Sequence, residues 1–306
     1  MLIVLIGMEL FARFYLGLGS PPLYIEDKNY EYIYAPNQHL KRFGNRISTN
    51  EFSMRSKPLS KKDKIRILKI GDSIINGGAQ TDQDSLASSI LEAQLSTFFH
   101  NSIRVLNVGA NSWGPDNAFE YVKKNGNFNA SKIILVFSSH DLHDLMHHQK
   151  VVGKYTAWPD KKPFCALSDG FFKYFMPLLK SKLIKNYNEY DEFENSKLAN
   201  EINSGWESFF NYSKEHNIEL LVYLHPTKQE VLSAEYDNNG KQLIHLFETN
   251  HINYVLGLNN NLDATCYRDF IHLNNKGQKK MAEQLYPYLQ QHVQNRLFEI
   301  NNAMLK

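Results

Sequence analysis

The sequence predicts an α/β fold, three layers α/β/α around a parallel five-stranded sheet, preceded by an N-terminal arm. Three observations lead there. From residue 65 onward short apolar strands alternate with helical stretches, the pattern of repeated βαβ crossovers. Residues 132–138 contain the unbroken apolar run Ile133-Ile134-Leu135-Val136-Phe137, which suits a parallel strand buried on both faces. The chain has 306 residues, 42% of them apolar, enough for one large domain with a substantial core.

Residues 1–19 form a strongly apolar start that nevertheless carries Glu9 and Arg13. A membrane-spanning helix needs about 20 mostly apolar residues. No basic leader precedes the run, and no small-residue cleavage site follows it. An anchor or signal-like segment is expected here, and an amphipathic helix packed on the domain is the alternative. Residues 20–64 read as an extended arm and linker. Turn-forming clusters at Pro21-Pro22, Ala35-Pro36-Asn37 and Phe43-Gly44-Asn45 separate Tyr-rich pieces that suit hairpins. Tyr24, Tyr30, Tyr32 and Tyr34 would pack a hairpin on the domain or cover the mouth of a site, the first being favoured because aromatic rings stabilise mainly by burial.

The main domain is expected over residues 65–298, with a tail at 299–306. Its strands are predicted at 65–70, 103–108, 132–138, 219–224 and 254–258. Helices are expected at 82–99, 115–124, 171–185, 193–216, 241–249 and 276–297. Cys165 and Cys266 lie far apart and show no metal-ligand spacing. They are two unrelated thiols or, in an oxidising compartment, one bridge. Thirty-four basic residues against thirty-two acidic ones leave a net charge of +2, which argues against a nucleic-acid binder.

In an open parallel sheet, ligands bind beyond the carboxyl ends of the strands. Polar groups collect there: Gly71-Asp72-Ser73, Gly109-Ala110-Asn111, Ser138-Ser139-His140-Asp141, His225-Pro226 and, after the last strand, Asp269-Phe270-Ile271-His272. Ser73 follows a strand at a turn, with Asn76, Gly77 and Gly78 beyond it. Such a position exposes a hydroxyl and aims nearby N–H groups at a developing oxyanion. A serine hydroxyl needs a general base. His272 is the candidate, with Asp269 three residues earlier to hold its tautomer. Each motif alone is common. Their order, one after the first strand and one before the final helix, gives the pair its weight.

With these residues in place, the chain resembles the SGNH/GDSL hydrolase superfamily, of the polysaccharide-associated, membrane-anchored type, over roughly residues 65–297. Gly71-Asp72-Ser73 matches the first block and Asn107-Val108-Gly109 the second, where the family uses the glycine N–H in the oxyanion hole. Asp269-Phe270-Ile271-His272-Leu273 matches the last block. The third block departs, since His140 stands where the family shows an oxyanion-binding Asn, and Asn111 is an alternative donor. The resemblance implies a serine esterase acting on acyl, typically acetyl, esters, with an acylated glycan or other ester as partner and no cofactor. Ser73, Asp269 and His272 would be catalytic, and Gly109, Asn111 and His140 would bind the oxyanion or substrate. An O-acyltransferase with the same triad, or a non-catalytic glycan-binding or assembly protein, are the alternatives. The resemblance further implies a bacterial envelope protein, held in the inner membrane by residues 1–19 and facing the periplasm or exterior.

His140, His143, His147 and His148, with Asp141 and Asp144, form a second cluster. On a helix, His140, His143 and His147 would share a face. No recognised metal-ligand spacing is present, so a polar rim is expected rather than a metal site. His225, before a proline at a strand end, reads as a packed structural residue.

Overall fold

The computed structural model describes residues 1–184, 193, 196–197, 199–259 and 262–304. Five strands, β5 (Ile65–Gly71), β6 (Ile103–Gly109), β7 (Lys132–Ser138), β8 (Glu219–His225) and β9 (Asn253–Leu256), form a sheet in the order β6-β5-β7-β8-β9. All pairs are parallel, with Gly71 opposite both Gly109 and Val136, and Ser138 opposite His225. The expected three-layer α/β/α architecture is therefore the observed one. Strand residues alternate between two cores. Leu68, Ile70, Leu106 and Val108 face Ala118, Tyr121, Trp206, Phe209 and Phe247. Ile67, Ile134, Val136 and Leu221 face Leu91, Leu95, Met281, Leu285 and Leu289. The chain leaves β5 for β6 on one side and comes back to β7 on the other, which opens a crevice at the carboxyl ends of these strands.

Glycine is required where these strand ends meet. A Cβ on Gly71 would lie 2.1 Å from the Val136 carbonyl oxygen, and one on Gly109 2.7 Å from that of Asp72.

Residues 20–64 form two antiparallel hairpins, β1 (Tyr24–Asp27) with β2 (Glu31–Tyr34), and β3 (His39–Arg42) with β4 (Asn45–Ser48). Tyr24, Tyr30, Tyr32 and Tyr34 are all buried, and Trp113 donates its indole N–H to the Tyr32 carbonyl at 2.9 Å. The first hairpin thus belongs to the core.

Several boundaries shift for local reasons. The helix expected at 82–99 is regular only over Ala87–Phe99, because the Asp82 carboxylate accepts from the Asp84 N–H and closes a separate short turn. The helix expected at 193–216 covers Gly205–Glu215, where Trp206, Phe209 and Phe210 are buried. The parts of that expectation at 194–195 and 198 fall outside the described residues, as does Lys185 of the preceding helix. That preceding stretch is helical from Ala166 to Leu183, with one wide turn at Phe171–Phe175. The fifth strand ends at Leu256, two residues early, and the last helix runs Asn275–Met304. Residues 140–148 are not a helix. Asp141 takes the Ser138 N–H at 2.7 Å and closes a short turn over Ser139–Leu142, after which Leu145 N–H bonds the Lys197 carbonyl and the His143 carbonyl takes the Ala199 N–H. Long-range bonds replace the i→i−4 ladder there.

Helix α1 (Leu2–Phe14) has 13 residues, about 20 Å at 1.5 Å per residue, against about 30 Å of bilayer hydrocarbon. Among the described residues no helix is long and apolar enough to cross a membrane.

Candidate active site

Ser73 begins a single helical turn, Ser73–Asn76, immediately after β5. Asp72 caps that turn, its Oδ1 accepting the Ile74 N–H at 2.8 Å. Gly77, at φ +71°, ends it. A second capping layer comes from the arm. Arg55 is buried and donates to the carbonyls of Asn76 (2.6 Å), Gly78 (2.8 Å) and Thr81 (3.1 Å). Burial without a carboxylate partner brings its guanidinium down to about 10. The serine turn is thus fixed by a residue outside the sheet domain.

The Asp-x-x-His spacing has a physical basis in residues 267–273. Tyr267 and Leu273 form an antiparallel bridge, and the Arg268 N–H bonds the His272 carbonyl at 3.0 Å, closing a tight loop. Inside it, Asp269 Oδ1 accepts the N–H groups of Ile271 (3.0 Å) and His272 (2.7 Å). The same carboxylate reaches His272 Nδ1 through Oδ2 at 2.8 Å. His272 Nε2 then lies 2.8 Å from Ser73 Oγ. Burial pushes the Asp269 carboxyl up. The His272 hydrogen bond and charge, with the two backbone N–H groups, outweigh it and hold the carboxyl well below the usual carboxylate range. An ionised Asp269 places the imidazole proton on Nδ1 and leaves the Nε2 lone pair toward Ser73, the arrangement a general base needs.

Two residues brace this loop. Arg268 donates to the Gly77 carbonyl at 3.0 Å, tying the loop to the serine turn. His225 is fully buried and its Nε2 donates to the Ile271 carbonyl at 2.8 Å. Burial drops its imidazole to about 3, so the ring is neutral and serves as a fixed strut.

A cavity of about 590 Å³ opens over Ser73 and His272. Tyr24, Tyr34 and Phe43 of the arm, with Trp158, Tyr174 and Phe270, line its apolar wall. Asn111 and His140 also line it. Gly109, at the end of β6, is buried and does not line the cavity. His140 has both ring nitrogens near neighbours: Nδ1 bonds Ser138 Oγ, and Nε2 lies 3.5 Å from Asp141 Oδ1.

The floor of the site holds buried charges, of which Lys69 and Lys197 escaped the sequence reading. Asp72 is pushed well above the usual carboxylate range by burial and by the nearby Asp141 and Asp144. Burial also raises Asp141, and raises Asp144 to about 6 against the pull of Lys197, 3.2 Å away. Lys69, in the middle of β5, is fully buried with no hydrogen-bond partner on Nζ, and burial lowers it to about 7. A Lys inside Ile67-Leu68-Lys69-Ile70 was the available signal. Asp72, His140 and Asp141 could each offer one atom to a cation, these atoms lying within 4.8 Å of one another. A shared proton between the two carboxyls relieves the same repulsion. Two other histidines of the second cluster turn elsewhere, His143 to the Glu201 carbonyl and His147 to Ser196. Cys165 and Cys266 are free thiols.

No protein-family model and no curated protein matches the sequence. Solved structures give a distant likeness. A carbohydrate acetylesterase family member from Sinorhizobium meliloti is 12% identical, covering 74% of this chain and 98% of its own at a TM-score of 0.39. An acetyl xylan esterase from Geobacillus stearothermophilus is 15% identical, covering 72% and 94% at 0.41. A GDSL-like lipase from Bacteroides thetaiotaomicron VPI-5482 is 8% identical, covering 75% and 89% at 0.38. All three likenesses are distant.

Proposed function

We propose that this chain is a serine esterase that cleaves acyl esters, acetyl esters on a glycan being the favoured substrate. The observation that carries the reading is the unbroken line Asp269–His272–Ser73, with 2.8 Å at each of its two joints. Ser73 Oγ attacks the ester carbonyl as His272 Nε2 takes its proton. The oxyanion forms against the N–H groups of Ser73 and Gly109, with the Asn111 amide or His140 beside them. His272 then returns the proton to the departing alkoxide, and water activated by the same imidazole releases the acid. The aromatic wall suits the apolar faces of sugar rings, and the volume leaves room for an acceptor alcohol in place of water. That room supports O-acyl transfer as a second reading of the same triad.

The test is intact mass after treatment with a fluorophosphonate. A single adduct is expected on the wild type, none on Ser73→Ala and a much slower one on His272→Ala. An unlabelled wild type, under conditions that label a known serine esterase, would overturn the proposal and leave a glycan-binding protein. Adding a sugar alcohol during turnover of an acetyl ester separates the two enzymatic readings, since transfer yields an acetylated sugar and hydrolysis yields acetate.

A further inference from the structure

The β3–β4 hairpin carries a residue that its backbone does not favour. Arg42 pairs with Asn45, so Phe43 and Gly44 alone make the turn, at φ +51° and +82°. A two-residue turn with both central φ values positive takes Asn, Asp or Gly by preference, because a larger side chain is crowded there. Phenylalanine at the first position is therefore strained, and such strain persists where the side chain is put to use. The Phe43 side chain lines the cavity over Ser73, with 38% of the residue exposed.

The hairpin is fastened on two sides. Toward the serine turn, Asn45 donates to the Ala79 carbonyl at 3.1 Å, and Arg46 pairs with Asp82 and Asp84 at 2.6 Å each. Toward the helical stretch Ala166–Leu183, Arg42 is wholly buried, 2.7 Å from Asp169, and donates to the Tyr174 hydroxyl at 3.0 Å. Asp169 also takes the Gly19 N–H at 2.8 Å. The Arg42 guanidinium lies 5.3 Å from the Phe43 ring centre and 5.6 Å from that of Tyr174, and the two rings meet edge to face at 5.4 Å. A buried ion pair thus fixes two partly exposed rings as a rigid corner of the cavity wall. Tyr174 comes from the wide turn at Phe171–Phe175, a form of helix that recurs at functional sites.

The rest of the cavity indicates what this corner receives. Gln80, Asn111 and Ser112 line it together with the two rings. A hydrocarbon acyl chain would strip water from those polar groups and return no hydrogen bond. A pyranose ring offers C–H groups to an aromatic face and hydroxyls around its edge, which suits both kinds of lining. We propose that Phe43 and Tyr174 form a stacking subsite for the sugar ring that bears the ester, and that they select acylated glycans over ringless esters. The sugar's place beside Ser73 rests on the esterase reading, whereas binding needs no turnover.

The experiment measures binding to the full-length Ser73→Ala protein by saturation-transfer NMR. Acetylated xylobiose and methyl 6-O-acetylglucoside are the ring probes, and glyceryl monoacetate is the ringless one. At least one ring probe is expected to bind more tightly than glyceryl monoacetate. Adding Phe43→Asn, which places a favoured residue in the turn, should keep the thermal midpoint or raise it. It should raise the Kd of the ring probe about tenfold, the worth of one aromatic contact, and move that of glyceryl monoacetate by less than about twofold. Phe43→Tyr, which keeps a ring, should bind as Phe43 does. Ring probes held no better than glyceryl monoacetate, or an unchanged Kd with Phe43→Asn, would overturn the subsite. Equal losses for ring and ringless probes would overturn it too, since Phe43 would then act on the cavity as a whole. Failure of the esterase reading shows separately, as a wild type that binds the ring probes yet takes no fluorophosphonate, and it leaves the subsite standing.

Discussion

Replacing Lys69 with methionine probes how the buried charges beneath the site are balanced. The amine sits on a central strand with no hydrogen-bond partner, and burial lowers it from 10.5 to about 7. Each pKa unit is worth about 1.4 kcal/mol, so the buried amine costs the fold on the order of 5 kcal/mol at pH 7. That figure is an upper bound, because relaxation and water entry relieve part of it. The unfolded chain keeps this proton up to pH 10.5 while the folded chain releases it near 7. Between those values the unfolded state binds more protons, so wild-type stability gains from this group as pH rises, and the penalty is gone above the window. Methionine fills a similar volume without the charge. Lys69→Met should therefore stabilise the protein by several kcal/mol at pH 7 and by little at pH 10, a difference on the order of that same penalty. Urea unfolding followed by tryptophan fluorescence at the two pH values measures it, with Trp113, Trp158 and Trp206 all buried. A variant less stable than the wild type at both values would refute the reasoning, since it would mean the ammonium is held charged, most directly by Asp72.

Asp269→Asn should slow fluorophosphonate labelling by roughly 10³–10⁴-fold, the cost of losing the correct tautomer, with the unfolding midpoint little changed. Because Asp269 is held below the usual carboxylate range, it keeps its charge as pH falls to 4 and lower. Loss of the Asp269 charge above pH 4, followed by the NMR shift of its carboxylate carbon, would contradict the assigned hydrogen bonds. Arg55→Met should cost on the order of 3 kcal/mol in urea unfolding by leaving buried carbonyls unpaired, and should slow labelling of Ser73. Unchanged labelling would show that the serine turn holds its shape without the arm.

Much of the sheet was legible because its strands are continuous apolar runs bounded by turns. Residues 132–138 came out with the observed limits, and 65–70 and 103–108 each lacked only the closing glycine. The pairing of Ser73 with Asp269 and His272 was legible from motif order and strand ends. What the motif could not convey is why three residues is the right spacing: the Asp269 carboxylate closes its own turn before it reaches the imidazole. Residues 140–148 misled because local spacing suggested a helix, whereas bonds to residues 197 and 199 decide the backbone there. Arg55 was invisible for the same reason. Its partners at residues 76–81 are more than twenty positions away, and a lone arginine in a polar linker carries no pattern.

Ser73 and His272 stand 199 positions apart in the chain. At about 5–20 residues per second, a ribosome needs roughly 10–40 s to pass from one to the other. Through that interval the serine turn exists without His272, and the parallel strands that must align beneath it close long loops before any contact repays them. On the proposed reading, reactivity at Ser73 is therefore a property of the folded chain. During refolding, helical signal should return first and labelling last, so that the labelled fraction counts molecules whose final loop has docked.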